Sequence, residues 1–218
     1  MRRSPPHPNP LPAGERESRT TVVFDLGGVL IYWNPRHLYR KLFAGDDVAM
    51  EEFLTTVCTQ AWNVQQDAGR SFAEGAAILK ARHPDKAALI DAFGARFGEM
   101  MAGAIAGSVE ILEELDRRGV ALYALSNWSR ETFPFAQRRF DFLTRFRGIV
   151  ISGEIGHVKP QAEIYRHLLD RFSIDPARAV FIDDVAGNAE AARAFGIHPI
   201  HFTSPPALEC ELRGLRLL

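Results

Sequence analysis

Cysteine is nearly absent: Cys58 and Cys210 are the only two in 218 residues, far apart and without metal-ligand spacing. This excludes a disulfide scaffold and makes a reducing cytoplasm the expected location. Long apolar runs are missing too, so no segment is expected to span a bilayer. Charge of either sign is not in excess, since 26 Lys and Arg against 27 Asp and Glu give a formal net charge of -1. Such a chain has no global basic field for nucleic acid or an anionic membrane surface, although a local phosphate site remains open. There is no internal repeat. Residues 1–20 lack apolar periodicity and carry prolines at 5, 6, 8, 10 and 12, which predicts a disordered, dispensable tail. That tail also lacks the apolar segment of a secretory signal, and Glu15 and Glu17 spoil a transit peptide.

What is present centres on Val22 to Leu30. Val22, Val23 and Phe24 read as a buried strand, and Asp25 stands at its carboxyl end. Gly27 and Gly28 follow, a pair that lets the backbone turn sharply and approach a ligand closely. From Pro35 to Ala104 no strand signal occurs, while apolar residues recur at helical spacing, as at Met50, Phe53, Leu54 and Val57. Residues 35–104 are therefore expected to form a helical insertion between 21–34 and 105–218. Ser71 with Glu74 three residues on predicts a capping box. After Gly107, helices alternate with short strands that end at Ser126, near Ser152, at Asp183 and at Phe202. Such alternation predicts an α/β fold with a parallel sheet and helices on both faces.

In a parallel sheet the strand ends share one edge, so Asp25, Ser126, Asp183 with Asp184, and the loop residue Lys159 are expected to converge. In this order the residues resemble the motifs of the haloacid dehalogenase (HAD) superfamily. Phe24-Asp25-Leu26-Gly27-Gly28-Val29 fits the first motif, Leu125-Ser126-Asn127 the second and Lys159-Pro160 the third. Phe181-Ile182-Asp183-Asp184 with Asn188 fits the fourth. The resemblance covers residues 21–203 and implies a Rossmann-like core with a helical cap inserted after the first strand. It also implies that Asp25 is a nucleophile that forms an aspartyl-phosphate. Mg²⁺ would be held by Asp25, the Gly27 carbonyl and Asp183, with Asp184 assisting, an oxygen-only shell suited to a hard cation. Lys159, Ser126 and the Asn127 amide would bind the transferring phosphoryl group. The implied partner is a small phosphorylated metabolite, with sugar phosphates leading, and the implied assembly is a monomer or homodimer.

One position departs from the pattern. Most phosphatases of the superfamily carry a second Asp two residues after the nucleophile, as general acid and base, and here Gly27 stands there. Without such a group the rate should depend steeply on the leaving group's pKa. Candidates for a substitute, and for substrate selection, fall in and beside the insertion: Trp33, Asn34, Arg36, Trp62, Asn63, Asp67 and Arg70. For Trp62 the plain alternative is core packing, and for Asp67 with Arg70 an ion pair along a helix surface. The rivals to a Mg²⁺-dependent phosphatase are a metal-independent 2-haloacid dehalogenase of the same fold and a non-catalytic binding protein. A signalling receiver domain is a third, but its acidic pair precedes the acceptor Asp. The intact Asp183-Asp184 pair favours the phosphatase.

Overall fold

The computed structural model describes residues 20–218, so the expected tail, apart from Thr20, lies outside the described residues. Strand β1 (Thr21–Phe24) is followed by β2 (Ile31–Trp33) and then by five helices: α1 (Arg36–Leu42), α2 (Asp47–Thr56), α3 (Gln60–Asp67), α4 (Phe72–Arg82) and α5 (Ala87–Ala95). Then come β3 (Met101–Ala104), α6 (Ala106–Arg117), β4 (Ala121–Ser126), α7 (Phe133–Arg139), β5 (Gly148–Ile151) and the short α8 (Ser152–Ile155). The chain continues through α9 (Ala162–Phe172), β6 (Ala179–Asp183), α10 (Ala186–Arg193), β7 (His198–His201) and α11 (Pro205–Gly214).

Five strands form one parallel sheet in the order β5-β4-β1-β6-β7, which puts the fully buried β1 at its centre. Side chains alternate across a strand, and β1 obeys this: Val22 and Phe24 enter one core cluster and Val23 the opposite one. The first cluster takes Ile111, Leu112 and Leu115 of α6 with Leu208 and Leu212 of α11. The second takes Ile164, Tyr165 and Leu168 of α9 with Ala192 of α10. Helices on both faces explain why β1 and β6 are buried throughout.

The insertion is helical from α1 to α5, and Ser71 with Glu74 forms the expected capping box on α4. Its centre is aromatic: Tyr39 lies 5.1 Å from Phe53, and Trp62 lies 5.1 Å edge-on from Phe93. Gly75 sits where a Cβ would stand 2.7 Å from the Gln66 side chain, which accounts for a glycine inside α4. Phe97 joins this cluster to the sheet domain, at 6.1 Å from Trp33 and 6.0 Å from Trp128. The two parts thus share one core.

Two elements differ from the sequence expectation. Met101–Ala104, at the end of the stretch expected to be helical throughout, is a strand paired antiparallel with β2, Ile31 opposite Ala104. Met, Ala and Gly have no strand preference of their own, so only the pairing with Ile31–Trp33 makes them extended. The closing helix α11 begins on two prolines, which read locally as loop. Pro at the first helical position is compatible with a helix start, and Ser204 accepts the Ala207 N–H as the cap.

Candidate functional site

Strand register brings the site together. Phe24 pairs with Ile182 on one side and with Ala124 on the other, so Asp25 stands abreast of Asp183, and Ser126 lies one residue further along β4. The Asp25 N–H donates to the Ile182 carbonyl at 2.8 Å, which holds the first residue beyond β1 in line. Three donors then converge on Asp25 Oδ1: the Leu26 N–H at 2.7 Å, Ser126 Oγ at 2.6 Å and Lys159 Nζ at 3.0 Å. Lys159 Nζ also donates to Asp183 Oδ2 at 2.6 Å, so one ammonium bridges the two buried carboxylates. The other oxygen of Asp183 accepts the Val185 N–H at 2.8 Å, and the Asn188 amide donates to the same carboxylate. Asn188 is itself fixed by Tyr165, whose hydroxyl donates to its carbonyl at 2.7 Å.

Asn127 is hydrogen-bonded through both ends of its side-chain amide. Its side chain accepts the Lys159 N–H at 2.7 Å and donates to the Lys159 carbonyl at 3.0 Å. The Asn127 side chain thus orients the loop that carries Lys159.

The electrostatics follow from burial. Burial pushes the Asp25 carboxyl up to about 7, with the Lys159 charge opposing and the Asp183 charge adding. Burial disfavours the Lys159 ammonium, yet the Asp25 and Asp183 carboxylates outweigh it and hold its pKa above the ordinary lysine value. Asp184 is exposed and is raised by desolvation and by Asp183. Oxygens of Asp25, Asp183 and Asp184 all lie within 4.8 Å of one another, three hard donors in one cluster. Such an oxygen-only set fits Mg²⁺. Gly28 makes the grouping feasible: its φ is +75°, and a Cβ there would stand 2.1 Å from Asp184 Oδ2. At Gly27, whose carbonyl the motif assigns to the metal, a Cβ would meet nothing within 4 Å.

The residues singled out in the insertion separate into two groups. Trp62 is packing: it is buried, contacts Phe72 and Phe93 edge-on, and its indole N–H donates to the Gly75 carbonyl at 3.1 Å. Arg70 turns to the Gln66 side chain at 2.6 Å and the Trp62 carbonyl at 3.2 Å. The alternative ion pair between Arg70 and Asp67 does not form among the described residues. Arg36 pairs with Glu51, and Asn34 accepts the Arg36 N–H at 3.0 Å. Trp33, Arg36, Asn63 and Phe93 line a cavity of about 370 Å³ between the insertion and β2. Asp67 is buried at the end of α3, where Asn63 Nδ2 donates to its Oδ2 at 3.0 Å and the Ser129 main chain hydrogen-bonds to its carboxyl.

Two serines that sequence reasoning passed over join the insertion to the sheet edge. Ser152 Oγ donates to the Asp67 carbonyl at 2.6 Å and accepts the Trp128 N–H at 3.0 Å. Ser129 meets the Asp67 side chain. The available signal was a small hydroxyl residue just after β5, on the edge that already held the other motif residues.

Known proteins resemble this chain to different depths. The chain is 27% identical over 200 residues to the sesquiterpene phosphatase astK of Aspergillus oryzae, covering 89% of this chain and 95% of that one. Among solved structures it resembles the HAD family enzyme bt-2542 of Bacteroides thetaiotaomicron in complex with magnesium and inorganic phosphate. That match has a TM-score of 0.65 and 23% identity, covering 86% of this chain and 96% of that one. It also resembles the L-2-haloacid dehalogenase of Xanthobacter autotrophicus with chloropropionic acid covalently bound, with a TM-score of 0.59, 15% identity and coverage of 92% and 85%. At these identities the structures speak for the fold. The profile of haloacid dehalogenase-like hydrolases, however, matches residues 20–196, the span that contains every motif side chain described above, and the chain belongs to that family.

Proposed function

We propose that the protein is a Mg²⁺-dependent phosphomonoester hydrolase that works through an aspartyl-phosphate on Asp25. The observation that carries this reading is the single Lys159 ammonium bridging Asp25 and Asp183, at 3.0 and 2.6 Å, with Asp184 beside them. A metal-independent displacement at carbon has no use for three clustered carboxylates, whereas a phosphoryl transfer needs a divalent cation as well as an ammonium.

Mg²⁺, held by Asp25, Asp183 and Asp184 with the Gly27 carbonyl, would supply charge neutralisation for the phosphoryl oxygens. The protein's own groups do the rest. Leu26 N–H, Ser126 Oγ and Lys159 Nζ fix the Asp25 carboxylate by one oxygen, so its approach to phosphorus is set before substrate arrives. Lys159 keeps its proton and faces the negative charge that spreads over the phosphoryl group. Attack by Asp25 forms the Asp25–phosphorus bond and breaks the bond from phosphorus to the alcohol oxygen. Water then attacks the same phosphorus, releasing inorganic phosphate and restoring the carboxylate.

The substrate class is a small phosphorylated metabolite. Similarity to a protein named a sesquiterpene phosphatase supports an organic portion larger and less polar than a sugar, and the cavity beside Trp33 combines apolar walls from Leu54, Cys58 and Phe93 with polar ones from Arg36, Gln60 and Asn63. Both thiols are free, Cys58 buried and Cys210 exposed, in keeping with a cytoplasmic location. No helix among the described residues is long and apolar enough to cross a membrane.

The reading is tested by phosphate release from a panel of prenyl and sugar monophosphates, with chloride release from 2-chloropropionate followed in parallel. Activity should require Mg²⁺, vanish with EDTA, return on adding Mg²⁺, and fall at least 10³-fold in Asp25→Asn. Chloride release without phosphate release would replace the phosphatase by the dehalogenase.

A further inference from the structure

We infer that Asp67 is the general acid and base that the first motif lacks at Gly27, reaching the reaction from the helical insertion and held there by Asn63. This rests on the phosphatase reading above. In the first step Asp67 gives its proton to the alcohol oxygen as the bond to phosphorus breaks. In the second it takes a proton from the water that attacks the aspartyl-phosphate, so it ends as it began.

The need for such a group comes from the leaving oxygen, because an alkoxide expelled without a proton is a poor leaving group. The space beside Gly27 offers nothing, since no atom lies within 4 Å of where a Cβ would be. The acid must therefore come from elsewhere. Among the described residues the buried carboxyl groups are Asp25, Asp67 and Asp183, and two of these belong to the nucleophile and the metal set. Asp67 remains.

Its position is fixed from both sides. The Ser129 main chain binds its carboxyl, only three residues beyond Ser126, whose hydroxyl holds Asp25. Ser152 Oγ binds its carbonyl and also holds the Trp128 N–H, so the end of α3 is tied to the edge from which the motif residues project. Gly153 lets the start of α8 pack against the main chain of residues 128–130, where a Cβ would stand 2.6 Å from the Arg130 nitrogen, and its carbonyl lies 3.5 Å from the Cβ position of Gly69 just past α3. Ser126, which holds Asp25, pairs in the sheet with Ile151, the residue before Ser152, so the groups that hold the two aspartates stand on neighbouring strand ends.

Asn63 suits a carboxyl that changes its protonation state. Its Nδ2 donates to Asp67 Oδ2 at 3.0 Å, while its buried Oδ1 has no partner among the described residues. A half-turn of the amide would present that acceptor to a protonated acid, so the same side chain serves both forms. Burial favours the proton: it pushes Asp67 up to about 7, with the Ser129 main chain opposing and the Asp25 charge adding. A group that titrates near neutrality is suited to both giving and taking a proton.

Asp67→Asn can still accept the Ser129 N–H but carries no proton to give. On an alkyl phosphate with Mg²⁺, kcat should fall by about 10² to 10⁴ with KM little changed. On 4-nitrophenyl phosphate, whose leaving group needs no acid, the variant should release a burst of one nitrophenolate per site and then turn over slowly, because aspartyl-phosphate hydrolysis has lost its base. Adding Gly27→Asp to this variant should restore alkyl-phosphate turnover at least tenfold, which would not happen if Asp67 merely held the fold. If Asp67→Asn melts early, Asn63→Ala is the independent arm: with the acid kept but its amide holder removed, alkyl-phosphate kcat should fall at least tenfold while the nitrophenolate burst from 4-nitrophenyl phosphate keeps its rate. An Asn63→Ala or Asp67→Asn enzyme within threefold of wild type on both substrates overturns the inference and leaves the phosphatase reading standing. A wild-type protein that releases phosphate from no monoester under Mg²⁺ overturns both.

Discussion

Asp67 carries a signature visible without any substrate. Its carboxyl is raised from an ordinary 3.8 to about 7 by burial first, with Asp25 the charged group that adds to the shift. Between those values the folded chain holds a proton that the unfolded chain has lost. Stability therefore falls as pH rises through this window, by at most about 1.4 kcal/mol per pH unit for one proton, and levels off above about 7. Asp67→Asn has no such proton. Chemical denaturation at pH 5 and pH 8 should show the wild type losing more stability over that interval than the variant. The two losing equally would mean that Asp67 is ionised throughout. At this scale the motif residues were legible because each stands just past a run of apolar residues. The side-chain partners of Asn127 and Trp62 were not legible, because spacing gives a position and not a rotamer. Which atoms Asn127 meets depends on a loop 32 residues away, and Trp62 faces Gly75 on another helix.

Among elements, the joint between α3 and the start of α8 decides whether the insertion stays seated. Ser152 is fully buried and serves two main-chain groups, the Asp67 carbonyl and the Trp128 N–H. Ser152→Ala strands both, and each unsatisfied buried group costs about 1–3 kcal/mol. The expected result is a lowered melting temperature together with faster amide exchange in Gln60–Asp67 than in the sheet strands. Unchanged exchange across α3 would show that aromatic packing alone seats it. The parallel sheet and most of its helices could be read from alternating periodicities. The β2–β3 ribbon could not, because Met101–Ala104 is extended only through its partner strand.

At the scale of the whole molecule, Phe97 links Trp33, Phe72, Phe93 and Trp128, so insertion and sheet share one core. Phe97→Ala should cost about 3–5 kcal/mol. Because the core is shared, near-UV and far-UV signals should lose structure in one coincident transition that moves down as a unit. Two separated transitions would mean that the parts unfold independently. The sequence located the insertion by its helical period but held no sign of this union, which arises from rings distant along the chain.

The pair of bonds between Asn127 and the Lys159 main chain has a last consequence. Asparagine offers a donor and an acceptor side by side, matching the N–H and C=O of one peptide segment, as neither aspartate nor serine can. The serine next door and the lysine across the loop are thereby gauged against a common reference, like two jaws cut from one piece. A drift in either strand end would carry both together and leave the opening between them the same width.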